Sequence, residues 1–190
     1  MRRIAVTGGI AEGKSTVVGY IAEAGVATAS SDAIARDVFA REEVQARLSA
    51  ILRVPAPVEA ATVRSAISEN PDLRRQVNRA MHPEILRRIE AAEAAVVEVP
   101  LLLEACLQGL FERVWVVTCG PEEQLRRLTE RLGDETAARR LVRTQLPTPA
   151  KLPFADRIIR TDRPPALVKG YVLEQIHAEL GAAVASGKTA

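Results

Sequence analysis

Short apolar runs alternate with segments of helical periodicity at the start of the chain. The run "RIAVT" stops at Gly8 and Gly9 and predicts a buried strand, and from Ser15 to Ala24 apolar positions recur at helical spacing. "GVATAS" predicts a second strand, and "DAIARDVFAR" predicts a second helix. This order of strand, loop, helix and strand is typical of the beginning of a parallel α/β sheet.

The middle of the chain has a different pattern, which is charged and alanine-rich. From about Glu42 to Glu93 we find helical periodicity and no strand pattern, with breaks at "VPAPVE", "ENPD" and "HPE". The last break places Pro83 in the first turn of a helix, a position that proline favours. We therefore expect an all-helical insertion into an α/β frame.

The α/β pattern resumes after the insertion. "AAVVEV" and "RVWVVT" predict the third and fourth strands, with "LLLEACLQGLF" as a short helix between them. Helices are predicted at about Glu122–Leu132 and Asp134–Leu146, and "DRIIRT" predicts a fifth strand. A long amphipathic helix begins at Pro164, and "ASGKTA" is expected to be a frayed tail.

Composition excludes several classes of protein. The 190 residues carry 26 basic and 24 acidic side chains, a net charge of +2, which argues against a dedicated nucleic-acid binder. Two cysteines, outside any CxxC motif, argue against a disulfide scaffold and a structural zinc site. Glycines come too early for a signal peptide, and no apolar run approaches the ~20 residues of a membrane span. We expect a cytoplasmic protein with no nucleic-acid or membrane partner, either a monomer or a weak homo-oligomer.

The segment from Gly8 to Ser15 fits the pattern G-x-x-x-x-G-K-[ST] and lies between a predicted strand and a predicted helix. A chance match in such a chain is on the order of one in a hundred. Glycines allow successive backbone N–H groups to turn inward around an anion, and the helix dipole adds positive potential. The sequence therefore predicts an ATP phosphate site formed by Ala11, Glu12, Gly13, Lys14, Ser15 and Thr16. In it, Lys14 binds the β- and γ-phosphates and the Ser15 hydroxyl is a ligand of Mg²⁺.

The other motifs narrow the class of phosphate-loop enzyme. The chain has no N-K-x-D motif of a GTPase, and its third strand ends with Glu98-Val99-Pro100 where a motor or helicase has an aspartate. What remains is a small-molecule kinase, with a helical insertion that grips the acceptor and an arginine-rich lid over ATP.

Four further side chains each have two interpretations. Asp32 follows the second strand, so it is either a carboxylate that orients or deprotonates the acceptor hydroxyl or an N-cap of the next helix. Arg36, four residues on, either reaches an acceptor phosphate or is a solvated arginine. Arg127 and Arg131 share one helical face and either stabilise the transferring phosphoryl group or form Glu–Arg pairs along the helix.

Taken together, the segments resemble the dephospho-coenzyme A kinase family. The resemblance rests on "TGGIAEGKST", "SSDAIAR", "HPEI", "VEVPLLLE", "VVTCGPEEQLRRLTER" and "KLPFADRII", which occur in the family's order. It implies ATP-dependent phosphorylation, with Mg²⁺, of the ribose 3′-hydroxyl of dephospho-coenzyme A. It also implies one domain over 1–190 with a five-stranded parallel core (1–41, 94–120 and 147–190), a coenzyme-A-binding insertion (42–93) and a lid (121–146).

The resemblance also assigns residues. It makes Asp32 the catalytic aspartate and Arg127 the lid arginine, gives Lys14 and Ser15 their phosphate and magnesium roles, and leaves Arg131 as a second lid candidate. It places Arg36, His82 and the segment from Leu101 to Glu104 at the acceptor site. For His82, a structural role before Pro83 stays open as well.

The chain also departs from the family's pattern. Ser30 stands where the family commonly has an aspartate, the insertion is short between Phe39 and Val63, and Thr161-Asp162-Arg163 replaces an Asn- and Gly-containing segment. Two alternatives therefore remain at this point. One is a nucleoside or nucleotide kinase with a different acceptor, and the other is a non-catalytic nucleotide-binding paralogue.

Overall fold

Five parallel strands form one sheet in the order β2-β3-β1-β4-β5. The computed structural model describes residues 3–181, apart from the side chain of Glu69, so the predicted frayed tail "ASGKTA" lies outside the described residues. The strands are β1 (Ile4–Gly8), β2 (Thr28–Ser30), β3 (Val96–Glu98), β4 (Arg113–Thr118) and β5 (Arg157–Arg160). In the register, Ile4 lies beside Val96 on one side and beside Arg113 on the other. The predicted five-stranded parallel α/β fold is confirmed.

Helices precede, connect and follow the strands. They are α1 (Lys14–Glu23), α2 (Ser31–Phe39), α3 (Glu42–Leu52), α4 (Ala60–Glu69), α5 (Pro71–Ala91), α6 (Pro121–Leu132), α7 (Glu135–Val142), α8 (Thr148–Lys151) and α9 (Pro165–Leu180). The chain divides into two compact units, one of residues up to Ser30 with those from Glu93 onward, and one of Ser31–Ala92.

The α/β unit has its core on the sheet. All of β1 is buried, and so are the last five residues of β4, because both strands are covered on their two faces. Helices α1 and α9 pack against each other and contribute Val17, Ile21, Val172 and Ile176 to the same core as the buried Trp115. This packing holds the first turn of α1 directly after the loop that leaves β1.

The helical unit has a separate core. Helices α2, α3 and α4 each pack against the long α5, and the buried side chains include Val38, Leu48, Val63 and Val77. On α5, Glu84 accepts a hydrogen bond from Arg88 at 3.1 Å and forms ion pairs with Arg41 and Arg87. The hydrogen bond from Arg88 and these neighbouring charges hold the pKa of Glu84 below its ordinary value.

The prediction that a helix starts at Pro83 is wrong, because Pro83 lies inside α5. The start signal is instead Pro71 at the first position, with the Asn70 side chain accepting from the amides of Asp72 and Leu73. Packing of the helix against the core on both sides of the proline maintains it there, although proline removes one internal hydrogen bond.

Two other helix predictions are wrong in extent. The segment "LLLEACLQGLF" consists of turns followed by a 3₁₀ turn at Gln108–Leu110, because Cys106 has a φ of 56° and the Leu107 amide closes back on the Leu102 carbonyl. The helix predicted to reach Leu146 ends at Val142, and Gln145 beyond it bonds the loop after β1.

Candidate active site

The loop between β1 and α1 has a shape that only small residues permit. Gly8 has a φ of 150° and Gly13 a φ of 89°, and a Cβ on Gly8 would lie 2.3 Å from the Val117 carbonyl oxygen. A Cβ on Gly9 would lie 2.4 Å from Gln124 Nε2. The loop is therefore wedged against the end of β4 and the first turns of α6, and it leads straight into the N-terminus of α1, where backbone amides and the helix dipole favour an anion.

Lys14 and Ser15, the two side chains assigned to phosphate and magnesium, lie in the first turn of α1. Lys14 is buried, and its Nζ donates to the Gly9 carbonyl at 2.7 Å, so its ammonium group lies across the loop. Ser15 is exposed, and its Oγ donates to Glu98 Oε1 at 3.1 Å. Both side chains therefore lie where the loop enters α1.

Glu98 is a functional candidate that the sequence analysis missed, because it treated this residue only as a poor substitute for aspartate. It ends β3, which pairs with β1 and β2, so its carboxylate is next to the start of α1. A hydroxyl and a carboxylate are the hard oxygen donors that Mg²⁺ prefers. Its position at the carboxyl end of a strand beside the phosphate-loop strand was the available signal.

Arg127 reaches the phosphate loop through one intermediary. Its Nη2 and Nη1 donate to the carbonyl and hydroxyl oxygens of Thr161 at 2.7 Å and 3.2 Å. The Thr161 hydroxyl in turn donates to the Glu12 carbonyl at 2.7 Å. Arg127 also donates to Glu123 at 2.7 Å, so it forms a Glu–Arg pair along its helix in addition to its bonds with Thr161, the residue after β5.

Glu123 is held ionised by its two arginine neighbours. Hydrogen bonds from Arg126 and then Arg127 lower the pKa of Glu123 to about 2. Arg126 is exposed and pairs with Glu123 and Glu130. Arg131, one turn beyond Arg127, is exposed and makes no hydrogen bond or ion pair with any residue that the structure describes. Of the two lid candidates, the structure therefore brings only Arg127 to the loop.

A cavity of about 730 Å³ opens between α6 and the end of β5. Four arginines and three acidic residues surround it, and the lining residues are Cys119, Gly120, Pro121, Glu122, Glu123, Arg126, Arg127, Arg160, Asp162 and Arg163. Arg160 donates to both oxygens of Asp162, and its hydrogen bond lowers the pKa of Asp162 to about 2. Burial raises the pKa of the Cys119 thiol to about 11, so this cysteine stays protonated at neutral pH.

The segment from Leu101 to Glu104 follows β3. Glu104 receives an ion pair from Lys151 at 2.8 Å and a hydrogen bond from the Leu146 amide at 3.0 Å. Partial burial acts to raise the pKa of Glu104, but these bonds outweigh it, so the pKa lies below its ordinary value. Lys151 is completely buried, whereas Leu101 is 46% exposed. Glu104 thus anchors α8 to this segment, and the Leu101 side chain is open to a ligand.

Asp32, Arg36 and His82 belong to the helical unit. Helix α2 begins at Ser31, so Asp32 lies within its first turn and does not precede it as an N-cap would. All three side chains are exposed, and none has a hydrogen bond or ion pair to another residue within 3–181. Their polar groups are therefore available to a ligand.

Residues 3–181 contain no group of three or more His, Cys, Asp or Glu side chains able to hold a metal ion. A metal at this site would thus take its other ligands from phosphate and water, as Mg²⁺ commonly does. Within the same residues, every helix is too short or too polar to cross a membrane.

Comparison with known proteins gives concordant results. Residues 2–164 match the family profile described as dephospho-CoA kinase. A Bacillus cereus protein named dephospho-CoA kinase is 32% identical over 177 residues, covering 84% of this chain and 88% of that protein.

Solved structures agree with this match. The crystal structure of TT1252 from Thermus thermophilus superposes with a TM-score of 0.83 at 25% identity, over 95% of this chain and 98% of that one. A dephospho-CoA kinase from Campylobacter jejuni superposes with a TM-score of 0.62 at 21% identity, over 93% of this chain and 96% of that chain, and shares the fold.

Proposed function

Because the chain belongs to the dephospho-CoA kinase family, we propose that it transfers the γ-phosphoryl group of ATP to the ribose 3′-hydroxyl of dephospho-coenzyme A, giving coenzyme A and ADP. The observation that carries the proposal is the continuous chain of hydrogen bonds from the phosphate loop through Thr161 to Arg127. In a kinase of this family, a loop that binds phosphates and an arginine beside it provide both the grip on ATP and the charge needed during transfer.

The nucleotide binds in the α/β unit. Backbone amides from Ala11 to Thr16 and the Lys14 ammonium hold the phosphates, as the geometry of the loop favours. The cavity beside Arg127 takes the nucleoside end of ATP, since it opens at the carboxyl ends of β4 and β5, the edge where parallel sheets bind ligands. Arg127 neutralises charge that spreads over the phosphoryl group during transfer.

The Ser15 hydroxyl and the Glu98 carboxylate fit a magnesium ion. Their oxygens are 3.1 Å apart at the start of α1, close enough to serve one ion directly or through a water. The ion would neutralise phosphate charge when bound. Ser15 and Glu98 are the residues of this chain that would hold it beside the β- and γ-phosphates.

We assign deprotonation of the acceptor hydroxyl to Asp32. Its carboxylate accepts the proton of the 3′-hydroxyl as that oxygen attacks the γ-phosphorus, while the bond to the bridging oxygen of ADP breaks. The exposed and unpartnered state of this carboxylate among the described residues supports the assignment. Within the helical unit, Arg36 and His82 are the proposed acceptor-binding residues. Within the α/β unit, Leu101 and Glu104 are the proposed ones, with Glu104 acting through its anchoring of α8.

Replacing Arg127 by lysine tests the arginine's role. We expect kcat to fall about 10-fold, because lysine keeps the charge but cannot make both bonds to Thr161. The measurement is steady-state ADP release at saturating substrates. The matched control is Arg139→Lys, an exposed arginine on α7 that pairs only with Glu135 among the described residues. Equal kcat values for the two variants would show that Arg127 has no role in the reaction.

The reaction itself is tested with purified protein, Mg-ATP and dephospho-coenzyme A. We expect ADP release together with a product heavier than the acceptor by one phosphoryl group, measured by mass spectrometry. Nucleosides and nucleotides serve as competing acceptors in parallel reactions. Phosphorylation of one of these instead, or binding of ATP with no transfer to any acceptor, would contradict the proposal.

The proposal also places the protein in the cytoplasm. Its two cysteines are free, with Cys106 exposed and Cys119 buried, which suits a reducing compartment.

A further inference from the structure

The side chain of Glu12 is a buried carboxylate in the middle of the phosphate loop. It is 1% exposed, in a segment whose backbone is shaped to attract anions. A buried carboxylate is costly unless hydrogen bonds satisfy it. Three donors do so: the Gly9 amide, the Thr148 hydroxyl at 2.6 Å and the Thr118 hydroxyl at 3.1 Å.

The donors around Glu12 come from separate parts of the α/β unit. Gly9 follows β1, Thr118 ends β4, and Thr148 begins α8. Thr118 Oγ1 accepts from the Gly120 amide at 3.1 Å, which leaves its proton for Glu12. The Glu12 carbonyl also accepts from Thr161, the residue after β5. One residue thus joins the ends of three strands and α8 to the loop.

The space for this carboxylate is created by the absence of a side chain at Gly9. A Cβ there would lie 2.9 Å from Glu12 Oε2 and 3.0 Å from Thr148 Oγ1. On the next residue, Ile10, the amide donates to Gln145 at 2.9 Å and the carbonyl accepts from Gln124 at 3.0 Å. The loop is therefore hydrogen-bonded to α6, to α8 and to the segment between α7 and α8.

We propose that the Glu12 side chain is a positioning residue for nucleotide binding, which holds the loop backbone in its phosphate-binding shape and ties that shape to Thr148 of α8. The inference rests on the proposed function, because it assumes that the loop binds ATP. At 1% exposure the carboxylate cannot touch a bound phosphate, so it acts through the backbone. Its effect falls on nucleotide affinity, since an ordered loop loses less entropy on binding.

The test measures Mg-ADP binding by calorimetry, together with kcat and KM for ATP and for dephospho-coenzyme A. For Glu12→Ala, which leaves the Gly9 amide and two hydroxyls without their acceptor, we expect the Mg-ADP Kd and the KM for ATP to rise about 10-fold. Glu12→Gln keeps the shape of the side chain but has only one oxygen to accept hydrogen bonds, so the Kd for Mg-ADP should rise by a smaller factor. The KM for dephospho-coenzyme A and kcat at saturating ATP should change little in both.

Thr148 supplies the matched comparison. Thr148→Val removes the donor and should raise the Kd in the same direction, whereas Thr148→Ser retains the hydroxyl and should restore it. Thr144→Val, which removes a hydroxyl that among residues 3–181 bonds only to the Leu141 carbonyl of α7, is the control and should bind Mg-ADP as the wild type does. Because Glu12 and Thr148 share one hydrogen bond, the double variant Glu12→Ala/Thr148→Val should bind no more weakly than Glu12→Ala alone.

Several outcomes overturn the inference and are distinct from failure of the proposed function. Unchanged Kd values in Glu12→Gln and Thr148→Val, with wild-type protein that does bind Mg-ADP, would show that the carboxylate does not position the loop. A lower kcat with unchanged KM for ATP would assign it to the chemical step instead. If the Mg-ADP Kd of the double variant rises by the product of the two single-variant factors, Glu12 and Thr148 act independently, and the inferred link to α8 is wrong. If the wild type binds no Mg-ADP, the proposed function itself fails. If Glu12→Ala does not fold, the Mg-ADP Kd values of Glu12→Gln and Thr148→Val decide the question.

Discussion

Replacement of Lys14 by methionine is expected to lower kcat by about 10³-fold. Methionine preserves most of the side-chain volume, so the buried position should stay packed. What it removes is the only mobile positive charge of the loop. Without it, the charge on the β- and γ-phosphates is stabilised less as the phosphoryl group moves.

The measurement for Lys14→Met is ADP release under saturating ATP and dephospho-coenzyme A, with thermal unfolding as a check on the fold. Lys169→Met is the control, because Lys169 lies in the same unit, is 43% exposed in its side chain and pairs with Glu23 at 2.7 Å. Its kcat should match the wild type. A Lys14→Met enzyme with wild-type kcat and an intact fold would show that the loop does not carry the reacting phosphates.

Replacement of Asp32 by asparagine is expected to lower kcat by about 10²-fold or more, because the amide cannot accept the proton of the acceptor hydroxyl. The substitution is isosteric, and the native carboxylate has no hydrogen bond or ion pair with the residues described, so stability should change little. Mg-ADP affinity should also be unchanged, since the phosphate loop is intact. The expected pattern is therefore a loss of turnover with normal nucleotide binding.

Asp37→Asn is the matched control for Asp32→Asn. Asp37 lies on the same helix, is exposed, and likewise has no polar partner within residues 3–181. It should keep wild-type kcat. Near-normal turnover in Asp32→Asn would remove Asp32 from proton transfer, and a parallel loss in both variants would indicate that charge on α2 matters in general.

Much of the fold could be predicted from the sequence, because short apolar runs and glycines mark the strands and turns of the α/β unit. The strands β1 and β4 are buried on both faces, so they appear as unbroken apolar runs, and β4 was predicted with its observed bounds at Arg113–Thr118. Gly13 marks the loop-to-helix junction, because its left-handed backbone conformation favours glycine there.

The errors lie where distant residues decide the local structure. Pro83 is a helix-start signal taken alone, but it lies inside α5 because the helix packs against the core of its unit before and after that point. The apolar segment after β3 was predicted as a helix, yet Glu104 bonds to Lys151, far along the chain, and the backbone turns at Cys106. A pattern of a few neighbouring residues shows neither the core that packs against α5 nor the Lys151 that pairs with Glu104.

The sequence by itself determined the phosphate loop, the Lys14–Ser15 pair, the five strands in their order along the chain and the resemblance to one kinase family. The loop and the strands follow from backbone conformation and hydrophobic periodicity, which act over a few residues, and the resemblance follows from the motifs and their order along the chain. Only the tertiary structure decided that Glu98 meets Ser15, that Thr161 links Arg127 to the loop and that Glu12 is buried among Gly9, Thr118 and Thr148. Each of these contacts joins residues brought to one sheet edge by strand order, and the hydrogen bonds exist only once the parallel sheet has aligned the ends of its strands.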